Sequence, residues 1–214
     1  MDLALYYAPI ACSLVTYVTL NEAGAEFEVR PVNIRARQQM SAEYLKLNPK
    51  HKVPVLVVDG RPLTENVAIQ IWIARHFTHA QLLPSDPWEE LQVISLLAWC
   101  ASGIHPVISR LISPAKISDM PEAEESVRRL ATEQLFENLQ LADTLLSGRE
   151  YFHDHFTVVD PYFFWLFRRG KLLDLDQSEF TNCEAHFERM MQRPSVQKVL
   201  AHEKEVRAAF ANAA

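Results

Sequence analysis

Asn48-Pro49-Lys50-His51-Lys52-Val53-Pro54-Val55-Leu56-Val57-Val58-Asp59-Gly60, followed by Arg61-Pro62-Leu63-Thr64-Glu65-Asn66-Val67-Ala68-Ile69, decides the fold. Val55 to Val58 is a β-branched and leucine run suited to a buried strand. Asp59-Gly60 is the strongest short hairpin signal, because both central positions of a tight hairpin turn need positive φ. Arg61 to Leu63 then reads as a return strand, confined to a sheet edge by Pro62. Thr64-Glu65-Asn66 offers polar caps to an apolar helix running from Val67 to Phe77. Pro54, directly before the strand, is a candidate cis proline, since cis is accessible essentially only at X-Pro bonds. A cis bond there is expected to turn the backbone N–H and C=O of Val53 outward, free to pair with an extended peptide. With a helix N-terminus beside it, which favours carboxylate, the stretch predicts a site for a small peptide with a free acidic end.

Upstream, Leu3 to Tyr7 reads as a first strand broken by Ala8-Pro9. Cys12-Ser13 opens a helix to about Ala23 that Gly24 ends in a left-handed cap. Phe27 to Ile34 is a second strand, parallel to the first through a normal crossover. Arg35 to Met40 is polar, and Ser41 with Glu43 starts a short helix to Leu47. The order βαβ, helix, β-hairpin, helix is a thioredoxin-like arrangement. The Val67–Phe77 helix is apolar on nearly every side, which predicts cover from the sheet on one face and from a second domain or subunit on the other.

Leu82-Leu83-Pro84-Ser85-Asp86-Pro87 reads as a linker, and beyond it only helical periodicity is found. One long helix is expected from Trp88 to about Ser113, interrupted at Pro106, and a second from Pro121 to Leu146, with Glu122, Glu124 and Glu125 in its first turn. Phe156-Thr157-Val158-Val159-Asp160 has the form of a capping box, with Phe156 as the staple residue. An apolar helix to Leu173 follows, then helices over Phe180–Gln192 and Ser195–Phe210, parted by Pro194. The expected division is an α/β domain over 1–80 and an all-α domain over 88–214.

The chain is 49% hydrophobic and 22% charged, with net charge −6, ordinary for a globular protein and unsuited to nucleic acid or an anionic membrane surface. No apolar run is read as long enough to span a bilayer, and the first residues lack a signal-peptide pattern. Cys12, Cys100 and Cys183 are odd in number and far apart, which points to thiols in a reducing, cytoplasmic compartment. His153-Asp154-His155 has no third ligand at recognisable spacing, so no metal is expected.

Two residues carry the sharpest chemistry. Cys12, at a helix start after the Pro9-Ile10-Ala11 turn, should feel the positive end of the helix dipole, which lowers a thiol pKa and favours thiolate. His105 precedes Pro106, which biases it out of helical geometry and predicts a kink turning the imidazole toward an inter-domain cleft. Arg35 and Lys52 flank the first crossover and the proline loop, whereas Arg37 and Lys50 read as solvated charges. Glu65 and Asn66 read as helix caps, a role compatible with anion binding.

Asn48 to Ile73 resembles the glutathione-binding half of the cytosolic glutathione S-transferases, and Tyr7-Ala8-Pro9-Ile10-Ala11-Cys12-Ser13 resembles the active-site segment of their bacterial β class. Ala101-Ser102-Gly103-Ile104-His105 is similar to the β-class stretch with a histidine facing that cysteine. Arg193-Pro194 and the Thr157/Asp160 box match the helical domain, so the likeness runs almost the full length. It implies a thioredoxin-like domain followed by a helical domain, with Val53 pairing the cysteinyl backbone of glutathione, Pro54 cis, Glu65 and Asn66 holding the γ-glutamyl end, and Arg35 and Lys52 the glycyl carboxylate. It puts Cys12 beside the glutathione sulfur, with Tyr7 and Ser13 as rival hydroxyl donors and His105 assisting. The implied activity is detoxifying transfer of the glutathione thiol to a hydrophobic electrophile, in a homodimer. The alternatives are glutathione-dependent thiol–disulfide exchange through Cys12 and a non-catalytic binding protein. Ala98 and Gly103 depart from the family's polar supports, and Ile10 and Asn66 from its usual Gly and Ser or Gly.

Overall fold

A computed structural model describes residues 1–212. The chain divides into two compact units, one of residues 1–85 with the segment from Met191 onward, the other of 86–190.

The first unit is built on a four-stranded sheet in the order β2-β1-β3-β4. β1 (Leu3–Tyr7) pairs in parallel with β2 (Glu28–Pro31), Leu5 opposite Val29, and antiparallel with β3 (Val55–Val58), Leu5 opposite Leu56. β4 (Arg61–Thr64) completes the hairpin, Val57 opposite Pro62. Asp59 and Gly60 take φ values of 47° and 78°, the two positive angles a type I′ turn demands. β2 is shorter than the eight residues expected, although the backbone N–H of Val32 still donates to the carbonyl of Tyr7 at 2.7 Å.

Helix α1 (Ser13–Glu22) is buried continuously from Ser13 to Leu20, because it lies under neighbours on several sides: the sheet, α3 (Asn66–His76) and α9 (Pro194–Asn212). The last helix therefore packs with the first 85 residues, although its sequence reads as one more member of a helical series. Its anchors are polar. Arg193 donates to both carboxylate oxygens of Glu22 at 2.8 and 2.7 Å, Ser195 adds a hydrogen bond to the same carboxylate, and the Tyr17 hydroxyl lies 3.2 Å from Nδ1 of His202. α2 (Ala42–Leu47) is capped by the Ser41 hydroxyl, which accepts from the Tyr44 N–H. α3 buries Asn66, Ile69, Gln70, Ile73 and Ala74, while Ala68 is exposed and Val67, Ile71 and Trp72 are half-covered within the unit.

In the second unit α4 (Pro87–Trp99), a π-helical turn (Cys100–Ile104) and α5 (His105–Ile112) form one uninterrupted helical stretch. The wide turn absorbs the hydrogen bond that Pro106 cannot make. The expected break is therefore absent, and the 26-residue stretch is by length and composition apolar enough to cross a membrane. Reading the sequence as cut at Pro106 hid this. Within the unit its Val93, Leu97, Cys100, Ile104, Val107, Ile108 and Leu111 are buried, as in the core helix of a helical bundle. α6 (Glu124–Leu145), α7 (Val159–Lys171) and α8 (Thr181–Met191) complete it. Before α7, Asp160 does reach back: its Oδ2 accepts from the Thr157 N–H at 2.7 Å and the Thr157 hydroxyl at 3.2 Å.

Candidate active site

The site residues of the first unit gather where the β1–α1 turn, the loop before β3 and the start of α3 meet. The turn is held in an unusual conformation. Ile10 has φ of +66°, a left-handed geometry that is costly for a β-branched residue. Two sets of bonds hold it. Ser13, fully buried, accepts from the Ala8 N–H at 3.0 Å and donates back to the Ala8 carbonyl at 3.2 Å. From α9, the buried carboxylate of Glu203 accepts from the Ile10 N–H at 2.8 Å and lies 3.5 Å from the hydroxyl of Tyr7.

Those contacts correct two expectations. Ser13 and Tyr7 read as possible sulfur activators, yet both are completely buried. The Ser13 hydroxyl closes the turn on itself, and Tyr7 points its hydroxyl at Glu203, with its ring against Tyr17 and His202.

Cys12 is half-buried and precedes α1 without capping it through its side chain. Its Sγ donates to the carbonyl of Val53 at 3.3 Å, and the Val53–Pro54 bond is cis. Asn66, at the start of α3, joins the two helix starts: its Nδ2 donates to the Cys12 carbonyl at 3.1 Å and its Oδ1 accepts from the Thr16 hydroxyl at 3.0 Å. Its side chain is occupied with this bridge. Glu65 precedes α3 with φ of 72° and makes no side-chain cap. Its carboxylate is ion-paired to Lys50, whose Nζ also donates to the Thr64 hydroxyl at 2.9 Å. Lys50, read as a free charge, thus fixes the orientation of Glu65.

The loop carrying Val53 is shaped by residues the sequence reading passed over. The Tyr44 hydroxyl and the Asn48 amide both donate to the Lys52 carbonyl, at 2.8 and 2.7 Å, and Asn48 Oδ1 accepts from the Lys50 N–H at 3.1 Å. Beneath them Ala8, Val32, Tyr44, Val53 and Val55 form one apolar cluster, with Ala11 against it. A buried tyrosine and an asparagine just before a proline were the available signals. Glu203, some 190 residues from Ile10 in the chain, left none.

The thiol does not ionise readily. Burial pushes Cys12 up to about 12 from 9.0; its own backbone N–H, the nearby Lys52 and Asn66 pull the other way, while Glu65 adds to the rise. The helix start helps the thiolate as expected, but removal from water outweighs it. Cys12 is therefore a protonated thiol at neutral pH, poised as a hydrogen-bond donor.

Arg35 is exposed and lines a different surface, together with Ile10, Lys204 and Arg207. His105 belongs to the second unit, where it is helical, with φ of −58° and ψ of −41°, so Pro106 does not turn it out. Its Nδ1 lies 2.9 Å from the Tyr162 hydroxyl, and its ring packs edge-on against Trp165 at 4.6 Å between centroids. His153 and His155 approach to 3.4 Å, and no group of three potential metal ligands occurs among the described residues.

Comparison with known proteins converges with this geometry. The glutathione S-transferase N-terminal domain profile matches residues 1–75. The glutathione S-transferase GstA of Escherichia coli O157:H7 is 32% identical over 203 residues, which are 93% of this chain and 98% of the relative. The chain belongs to the glutathione S-transferase family. A sphingomonad glutathione S-transferase complexed with glutathione superposes on this family member with a TM-score of 0.84, at 29% identity over 94% of this chain and 98% of the other. A bacterial β-class glutathione S-transferase from Sphingomonas chungbukensis gives 0.83 at 31% identity, again over 94% and 98%. The glutathione S-transferase fold is that of a mixed four-stranded sheet with helices, followed by a helical region.

Proposed function

We propose that the protein is a glutathione S-transferase in which Cys12 serves as a hydrogen-bond donor to the sulfur of bound glutathione. The observation that carries this reading is the Sγ of Cys12 set 3.3 Å from the Val53 carbonyl, beside the cis Pro54. Glutathione lies extended along Val53, in place of that sulfur–carbonyl contact. Its γ-glutamyl end is held by Glu65 and by the N–H groups that open α3, that of Asn66 among them, and its glycyl carboxylate by Lys52. Asn66, by tying the two helix starts together, acts as a positioning residue.

A thiol donor near the sulfur stabilises the thiolate that attacks the electrophile. In the transfer the sulfur–carbon bond forms, the leaving group departs with its electron pair, and the thiol proton passes to solvent. A Cys12 pKa of about 12 favours this conjugation over exchange chemistry, which needs Cys12 itself as thiolate. The protein is further proposed to be soluble and cytoplasmic and to form a homodimer, supported by exposed Trp88, Leu91, Leu130 and Leu141 and tested by sedimentation.

The deciding experiment is retention on immobilised glutathione, with conjugation of 1-chloro-2,4-dinitrobenzene measured in parallel. Retention with a glutathione-dependent rate, and a Cys12→Ala variant that still binds but conjugates about tenfold more slowly, is the expected result, since one lost hydrogen bond to a charge costs about that factor. Absence of retention overturns the reading. Release of a glutathione adduct from Cys12 by reductant, with no conjugation, transfers the activity to disulfide exchange.

A further inference from the structure

The connection from α6 to α7 holds two histidines, His153 and His155, between two buried phenylalanines, Phe152 and Phe156. The Phe152 N–H donates to Oδ1 of Asp160 at 3.2 Å, and the N–H of Thr157, next to Phe156, donates to Oδ2 of the same carboxylate at 2.7 Å. Both ends of the short segment are thus tied to the start of α7, and the two imidazoles are presented from a tethered loop.

The rings meet through the same atom. Nδ1 of His153 lies 3.4 Å from Nδ1 of His155, the ring planes stand 87° apart, and the centroids are 5.1 Å apart. Two imidazole nitrogens held by one tetrahedral ion at about 2.0–2.1 Å are about 3.3–3.4 Å apart, with centroids about 5.2 Å apart. A collinear N–H···N contact of the observed length would put the centroids about 5.7 Å apart. The rings therefore converge on a point beside the pair instead of aiming at one another. The second nitrogen of His153 has a partner of its own. Its Nε2 lies 3.6 Å from Oε2 of Glu89, in the first turn of α4. A carboxylate there favours the proton on Nε2 and leaves the lone pair on Nδ1, the atom that meets His155. Pairing of this kind orients metal-bound imidazoles and raises their basicity.

We propose that His153 and His155 form a binding site for one divalent transition-metal ion, with Glu89 as a positioning residue. No group of three protein ligands forms among the described residues, so water completes the coordination. Neutral imidazole selects ions of the Zn²⁺, Ni²⁺ and Cu²⁺ class over Mg²⁺ and Ca²⁺, which take oxygen ligands. The sequence supplies the two histidines; their convergence and the carboxylate from α4 come only from the fold. All three residues belong to the second unit, so the site does not depend on the transferase reading of Cys12.

The test is titration of the untagged, metal-stripped full chain with Ni²⁺ by isothermal calorimetry, with Mg²⁺ alongside. One Ni²⁺ per chain is expected, displaced by Zn²⁺ and lost in His153→Ala and in His155→Ala. Glu89→Gln should weaken binding about tenfold or more, the usual loss when the partner behind a ligating histidine is removed. His76→Ala, at an exposed position of α3, should bind as the parent chain does. If His155→Ala fails to fold, His155→Gln takes its place. Absence of Ni²⁺ binding by the parent chain, binding that persists in either histidine variant, an equal loss in His76→Ala, or equally tight Mg²⁺ overturns the proposal. Unchanged affinity in Glu89→Gln overturns the role given to that carboxylate.

Discussion

The starts of α1 and α7 are built in opposite ways. At α7 the polar groups close on one another. Asp160, fully buried, accepts from the N–H and hydroxyl of Thr157, from the Phe152 N–H at 3.2 Å and from His186 Nε2 at 3.0 Å. At α1 neither Cys12 nor Glu65, which precedes the neighbouring α3, caps its helix with its side chain, and the turn leading in holds Ile10 at positive φ. One helix start is satisfied from within and serves stability. The other keeps donors and a strained turn available, as functional sites commonly do.

That contrast can be broken by substitution. Asp160→Ala should be the most damaging change, about 3–5 kcal/mol by urea unfolding, because it strands a buried His186 and two N–H groups at once. A cost under about 1 kcal/mol would mean the box is ornamental. Next comes the thiol. With its pKa near 12 rather than 9.0, Cys12 in the glutathione-free protein should react with iodoacetamide about a thousandfold more slowly at pH 7 than an unperturbed thiol of the same nucleophilicity. The rate should climb steadily above pH 9, and a plateau near pH 7 would contradict the raised pKa. The same shift stabilises the fold below about pH 9 and fades as pH rises from there toward 12, because the folded chain binds the proton more tightly. Cys12→Ser should therefore be less sensitive to that alkaline range.

Glu203→Ala removes the acceptor for the Ile10 N–H and should cost about 1–3 kcal/mol, with slower conjugation and little change in glutathione affinity. The smallest effect is a difference between two variants. Ile10→Gly should be more stable than Ile10→Ala by about 1 kcal/mol, since only the glycine adopts the left-handed angle without penalty. If alanine is the more stable, the turn does not hold the geometry described.

Much of the fold was legible because its signals are local. Val55–Val58 with Asp59-Gly60 specified a hairpin through alternation and positive φ, and Thr157 with Asp160 specified a helix start through reciprocal side-chain bonding. The site was legible in part. Cys12, Val53, Pro54 and Asn66 do come together, but Ser13 and Tyr7 turned out to be engaged in the fold, and Lys50 to be paired with Glu65. Pro106 misled because a helix can restore its hydrogen bonding by widening a turn upstream, a compensation with no residue-level mark.

By itself, then, the sequence determined the order of elements, the cis-proline loop and the helix starts that crowd around residue 12, because each depends on dihedral preferences and caps a few residues apart. The tertiary structure alone decided that α9 packs on the first unit, that Glu203 pins the Ile10 turn, and that burial outweighs the helix start at the Cys12 thiol. These depend on which groups from distant parts of the chain exclude water from one another, and burial is a property of the packed molecule rather than of any segment in it.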